Sequence, residues 1–337
     1  MKKRFNWVTK IISIIGTILL SVIGLSCSSG RQSAPIESIT VAWSPFEPGA
    51  LLWVAEDQNI FSQNGLSVTL LKYDTGASSL DGMLNGGADI AFGVTEFPMV
   101  KSVFGKSEAR IIGTAATVEQ QYLVARKDRG IEQVSDLKGK RVGTTFGTIA
   151  QFYLGRFLEL NGMNIQEVTA VDLKTPAEWE NAVADGVIDA IVTAQPYADL
   201  AIKHLGSNAV VWPAQSGQQV FGLIVSSEDW IKVHPEQIDR FLKSIAKAEE
   251  YVIGHPTEAK AIMQKKLSID ASLVDSAWSR DQFSLSLDES LVVAMEDEAR
   301  WMISNKLTTE KEVPFFNDYI YEGALEAIKP EAVNIIR

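Results

Sequence analysis

From residue 36 onward, apolar residues fall in short runs bounded by Gly, Pro, Asn or Ser. Runs of this length and β-branched content read as strands at 39–43, 67–73, 89–94 and 110–114. Between them, 50–55, 79–84 and 97–104 read as helices, the second ending at Gly86-Gly87. The pattern then repeats, with strands at 140–144, 168–173, 190–193 and 209–212 and helices from Gln151 through Leu158, at 177–185 and at 196–203. Strands alternating with helices predict an α/β fold with largely parallel sheets. Two extended runs, 120–126 and 219–225, are expected to cross between the halves. After Glu228 the period becomes helical: Ile238, Phe241, Leu242, Ile245, Ala248 and Val252 share one face, and further helices fit 257–266, 272–279, 290–305 and 315–328. Trp230, Trp278 and Trp301 sit on this periodicity as core anchors.

The repetition is close to numerical. Displaced by 100, 40–46 falls on 140–146, Val68 on Val168, 86–91 on 186–191, and Thr95-Glu96 on Gln195-Pro196. Self-similarity at a fixed offset implies two βαβ lobes, each offering the carboxyl ends of its strands as an edge. The competing reading is that βαβ units have similar lengths everywhere. The most suggestive stretch runs from Lys140 to Gln151, a short strand, a Gly/Thr-rich turn and a helix start. Such a start presents unpartnered N–H groups and the positive end of the helix dipole, a site for an anionic or polar group. Thr144, Thr145, Gly147 and Thr148 are the residues expected to form it, with the hydroxyls adding donors.

Charge narrows the partners. The first 26 residues contain Lys2, Lys3, Arg4 and Lys10 and no acid. Removing those four from 31 bases leaves 27 against 42 acids, a formal charge of −15. That balance argues against nucleic acid or an anionic membrane surface as the main partner. The catalytic inventory is thin: His204, His234 and His255 form no pair at ligand spacing, and no P-loop, G-x-S-x-G or paired dinucleotide glycines occur. No metal site, cofactor or catalytic residue is expected, and the reading is of a non-enzyme.

Residues 1–26 have the layout of a secretory signal, a basic start followed by an apolar run from Ile11 to Leu25. A membrane anchor helix is the competing reading. Cys27, the only cysteine, follows Gly24-Leu25-Ser26, which resembles a bacterial lipoprotein signal whose cysteine is acylated. The chain departs from that pattern in having Gly24 three places before the cysteine. Residues 27–35 then read as a tether, and with one cysteine no internal disulfide forms.

Taken together, the leader, the duplicated lobes, the two crossings, Asp136-Leu137-Lys138-Gly139-Lys140-Arg141-Val142-Gly143, and the turns from Gly86 to Asp89 and Gly186 to Asp189 resemble a bacterial solute-binding protein. The similarity is to the nitrate/taurine/sulfonate-binding family, which includes binders of thiamine-pyrimidine precursors. It implies a two-lobed periplasmic-binding-protein fold, type II-like, with lobe one at 36–124 plus 225–337 and lobe two at 125–224. It implies an extracytoplasmic lipoprotein, in the periplasm or on the outer cell surface, held to the membrane through Cys27. A monomer capturing a small solute between its lobes and delivering it to an ABC permease is expected. Carried over from the family, the ligand contacts would be Ser44, Phe46, Thr95, Glu96, residues 144–148 and Gln195, with Tyr122 and Phe221 as aromatic walls.

The lobe-two edge holds donors and no acid, and the lobe-one edge holds Glu47 and Glu96. A taurine-like zwitterion fits that asymmetry, its sulfonate on the helix start and its ammonium near Glu96. Glu96 could equally cap the helix that follows. Aromatic walls favour instead a planar nitrogen heterocycle such as a pyrimidine precursor. A pyrimidine-synthesising enzyme on the same fold is the more distant alternative.

Overall fold

The structure, a computed structural model, describes residues 36–337. The expected signal, the tether and Cys27 lie outside them. The strand-forming runs assemble into two five-stranded mixed sheets. The first contains β1 (Glu37–Trp43), β2 (Leu66–Lys72), β3 (Ile90–Val94), β4 (Ala109–Val118) and the late strand β10 (Val220–Ser227), in the order β2-β1-β3-β10-β4. The second contains β5 (Gln121–Arg126), β6 (Arg141–Thr144), β7 (Thr169–Asp172), β8 (Ala190–Ala194) and β9 (Ala209–Pro213), in the order β7-β6-β8-β5-β9. The orders correspond position by position. In each, three parallel strands are followed by an antiparallel strand belonging to a crossing, β10 in one and β5 in the other.

Both runs expected as crossings are therefore strands inside sheets. The chain changes sheet at residues 119–120 and 214–219, a few residues before each lobe boundary expected from the sequence. Helices in the first half are α1 (Ala50–Asp57), α2 (Gly76–Leu84) and α3 (Glu96–Phe104). Those in the second are α4 (Ile149–Leu160), α5 (Pro176–Ala184) and α6 (Tyr197–Leu205). The offset of 100 holds for α2 with α5 and for β3 with β8, but the first strands align at 101. Val41 stands opposite Ile90, whereas Val142 stands opposite Ala190. Ser44 thus corresponds to Thr145, one residue away from the alignment read in sequence.

The two Gly-x-x-Asp turns have a structural cause. Gly86 and Gly186 follow their helices with φ of +76° and +68°, the left-handed region that glycine enters without penalty. Three residues on, Asp89 accepts the Thr40 N–H at 2.7 Å and Asp189 accepts the Arg141 N–H at 2.9 Å. Each carboxylate ties the entry of one parallel strand to the start of its neighbour.

The C-terminal region is helical: α7 (Glu228–Val233), α8 (Pro235–Gly254), α9 (Pro256–Leu267), α10 (Ala271–Arg280), α11 (Glu289–Ser304) and α12 (Gly323–Ile328). All six residues expected on the apolar face of α8 are buried, the five larger ones each contributing about 1.5–3 kcal/mol relative to exposure. The single helix expected over 315–328 is instead a 3-10 turn, Phe316–Tyr319, separated from α12. Trp301 on α11 packs against Phe97 of α3 at 5.9 Å and Phe152 of α4 at 5.6 Å, so this region braces elements of both halves.

Candidate functional site

The carboxyl ends of β1, β3, β6 and β8 meet the starts of α2 and α4 around one cavity. Of the residues expected to bind ligand, Ser44, Phe46, Thr95, Thr145 and Thr148 line it. So do Gly76, Ala77, Gln120, Gln121, Trp179 and Thr193, which the sequence reading did not single out. Among the described residues none that lines it is charged.

Two helix N-termini open on this space. The α4 start follows Thr148, an extended N-cap whose side chain makes no capping bond. Not all its amides are free, contrary to expectation. Phe146 N–H donates to Asp172 Oδ1 at 2.9 Å and Gly147 N–H to Gln151 Oε1 at 2.7 Å. The threonine protons are also committed: Thr145 Oγ1 donates to the Leu173 carbonyl at 2.7 Å and Thr148 Oγ1 to the Thr145 carbonyl at 2.8 Å. Among the described residues the N–H groups of Thr145, Ile149 and Ala150 have no partner, the last two in the first turn of α4.

The facing start belongs to α2. Thr75 is its N-cap, its hydroxyl accepting the Ser78 N–H at 3.0 Å in a reciprocal capping box. Gly76 and Ala77 keep unpartnered N–H groups at the cavity. The sequence signal was present, since Thr75 precedes Ser78 by three places and the first turn carries only glycine and alanine. It was passed over because the apolar pattern there begins later, and the predicted helix began at 79. A Cβ on Gly76 would lie 3.3 Å from the Gly93 carbonyl oxygen, so that backbone would have to give by a few tenths of an ångström.

The remaining wall is aromatic and apolar. Trp179 of α5 donates its indole N–H to the Leu173 carbonyl at 3.0 Å, which fixes the ring. Phe46, from the first half, lies 6.4 Å from Trp179 and 5.7 Å from Tyr197, both from the second. Phe46 is thus a side chain shared across the cleft. Ser44, Thr95 and Thr193 contribute hydroxyls without hydrogen-bond partners among the described residues.

The other expected contacts are placed elsewhere. Thr144 is buried as the last residue of β6. Gly147, with φ of +78°, turns the chain beside Lys101. Gln195 donates to Asp199 at 3.1 Å. Tyr122 packs with the core of the second sheet, and Phe221 belongs to the main core.

Glu96 is the clearest correction. It is fully buried, and its carboxyl accepts the Phe221 N–H at 3.1 and 3.3 Å. It does not line the ligand cavity, and its carboxyl also takes up its own N–H in the first turn of α3. It lies on a second cavity with Tyr153, Phe221 and Glu298. Burial pushes its pKa to about 8, against the pull of the backbone N–H groups bonded to it. Glu298 is raised well above its ordinary value by burial and then by Glu96. Glu47, buried and raised by desolvation and then by Asp281, does not line the ligand cavity either. The acidic edge expected on the first half is therefore absent from the site, because these acids point into the protein.

Among the described residues no group of three or more His, Cys, Asp or Glu is arranged to hold a metal ion. None of their helices is long and apolar enough to cross a membrane.

Comparison with known proteins agrees with this architecture. The chain is 26% identical over 230 residues to the taurine-binding periplasmic protein of Escherichia coli K12, covering 65% of this chain and 68% of that one. It is 25% identical over 296 residues to a Bacillus subtilis chain provisionally named binding protein YtlA, covering 85% and 87%. The solved alkanesulfonate-binding protein SsuA of Xanthomonas axonopodis pv. citri, bound to MOPS, superposes with a TM-score of 0.74 at 16% identity, covering 86% of this chain and all of that one. The desulfurization enzyme DSZB superposes at 0.66 with 15% identity, covering 88% and 99%, so the fold by itself does not separate receptor from enzyme. The family model described as NMT1/THI5 like matches residues 49–259. With two like sheets, a cavity at the carboxyl ends of their strands and that match over more than half its length, the chain belongs to the NMT1/THI5-like family.

Proposed function

We propose that the protein is an extracytoplasmic solute receptor that captures a small organosulfonate or related organic anion between its two sheets and hands it to an ABC permease. The observation that carries this is the opposition of two helix starts, one from each half. Gly76 and Ala77 on one side and Ile149 and Ala150 on the other offer four unpartnered N–H groups to one cavity. A hydrogen bond to a charged group contributes about 1.5–3 kcal/mol net, and each helix dipole adds up to ~2 kcal/mol when partly buried. A sulfonate, with three acceptor oxygens and a fixed charge, suits such a cradle. The names of the sulfonate- and taurine-binding relatives support the same ligand class.

With no carboxylate on the wall, an ammonium would enter without a counter-charge. The geometry therefore favours sulfonates with an uncharged tail over the zwitterion suggested by sequence. Trp179, Phe46, Pro48 and Ile149 supply an apolar surface for that tail. Among the described residues no histidine, lysine or acid lines the cavity, which supports a binding role over a catalytic one. Ligand bridging the two helix starts would favour the closed population in which Phe46 meets Trp179 and Tyr197. Acylation of Cys27, a boundary between lobes at the two crossings and a monomeric state complete the proposal.

Isothermal titration of the chain from residue 28 with ethanesulfonate, propanesulfonate and taurine tests it. Saturable binding of the alkanesulfonates, stronger than that of taurine, is expected. Failure of every sulfonate to bind would contradict it.

A further inference from the structure

Gln120 and Gln121 occupy the point where the chain leaves the first sheet for the second. They are 2% and 3% exposed, and both line the ligand cavity. Their backbone is firmly held. Gln215, in the return crossing, accepts both N–H groups through one Oε1, at 2.8 and 3.0 Å. Its own amide nitrogen donates to the Val118 and Gln218 carbonyls at 2.8 and 2.7 Å. The Gln120 carbonyl accepts the Gln195 N–H, and the Gln121 carbonyl accepts the Ala214 N–H. The two side-chain carboxamides take no part in this lacing. Oε1 of each is buried without a hydrogen-bond partner, and neither amide nitrogen donates to another described residue.

An unpaired buried amide is costly, about 1–3 kcal/mol, and native proteins leave few. Here two stand side by side in sequence, on a cavity wall that is otherwise apolar or hydroxylic. Gln215 performs the structural work of the crossing, and both carboxamide oxygens are left without a partner on residues that line the cavity. A carboxamide offers an acceptor and two donors, so it pairs best with a group that both donates and accepts.

We infer that Gln120 and Gln121 are specificity-determining residues that select organic anions carrying a neutral hydroxyl or amide on the tail. The inference rests on the proposed anion cradle, and it divides the labour of the site. The helix starts hold the charged head without regard to the tail, and the glutamine pair reads the tail. A site that leaves its own polar groups unpaired in the absence of a matching ligand group discriminates strongly, whereas an apolar pocket rejects an added hydroxyl only weakly. A neutral donor is favoured over an ammonium because the lining supplies no negative charge.

The test compares 2-hydroxyethanesulfonate, ethanesulfonate and taurine by isothermal titration on the wild-type chain, then on Gln120→Leu and Gln121→Leu. The hydroxylated ligand should bind about tenfold or more tightly than ethanesulfonate. That ratio should fall toward one in the leucine variants, with a correct fold checked by circular dichroism. Equal binding of ethanesulfonate and 2-hydroxyethanesulfonate by wild type would overturn this inference while leaving the anion cradle standing. So would taurine binding as tightly as the hydroxylated ligand, or a ratio that survives both substitutions. If no sulfonate binds at all, the proposed function fails, and this inference with it. The wild-type comparison decides even where a variant fails to fold.

Discussion

Two cavities flank helix α4, and they differ in every chemical respect. At its N-terminus, Thr148, Ile149 and Ala150 open on a space with no charged residue among those described, four free helix-start N–H groups and a Trp179 wall. Along its side, Phe152, Tyr153 and Arg156 face a space that holds buried Glu96 and Glu298. The first has electropositive character without a single cation. The second holds Glu96, Asp297 and Glu298 beside Arg156 and Arg300, and burial raises Glu96 to about 8 and Glu298 well above its ordinary value. Counting charged residues near a helix start therefore misleads. What decides is which way each side chain faces and whether its proton stays on.

The largest break in this contrast should come from placing a negative charge at the first cavity. Thr148→Asp keeps a good N-cap residue at the α4 start while setting a carboxylate against the anion. Sulfonate affinity measured by titration should fall about 100-fold, with the thermal midpoint held or raised. The contact of α4 with the C-terminal region gives the next effect. A Cβ on Gly155 would lie 2.1 Å from Trp301 Cζ2. Gly155→Ala should cost about 1–3 kcal/mol in urea denaturation. A smaller change removes one donor: Thr148 is extended, so proline is tolerated at the first helical position. Ile149→Pro should weaken sulfonate binding about tenfold through loss of one charge-assisted bond.

The smallest effect sharpens the second cavity. Glu96 has a folded pKa of about 8 against a usual 4.5. The folded state thus holds the extra proton between those values. The contribution of this group to stability is fully present below about 4.5 and is lost as pH rises through 8. Wild type should lose thermal stability over that window more steeply than Glu96→Gln, which mimics the protonated acid. Titration at pH 7 should find the sulfonate affinity of the variant unchanged, because residue 96 faces away from the ligand.

Much of the fold was legible because it is written in local patterns. The strand runs, the helical period of α8 and the turns at Gly86 and Gly186 follow from backbone preference and burial, which act over a few residues. The one-residue slip between β1 and β6 was not legible, since it depends on strand pairing across the sheet. In the site, Thr145 and Thr148 could be read from the strand–turn–helix pattern, whereas Ser44, Phe46 and Thr95 were implied by the family resemblance; all five line the cavity. Gly76 and Ala77 were missed because a first turn of small residues carries almost no hydrophobic signal. Trp179 and the Gln120–Gln121 pair were missed because only tertiary packing brings them to the wall. Glu96 misled because a carboxylate beside a helix start reads as solvent- or ligand-facing, and nothing local reveals that its partner is the Phe221 N–H.

The central claim is that helix starts from both halves hold one anion. Amide resonances of Gly76, Ala77, Ile149 and Ala150, followed by nitrogen-15 NMR during titration with ethanesulfonate, test it most directly. All four should shift together along one saturation curve and exchange more slowly with solvent in the complex. Shifts confined to one helix start, or absent from all four while the ligand binds elsewhere, would contradict the account.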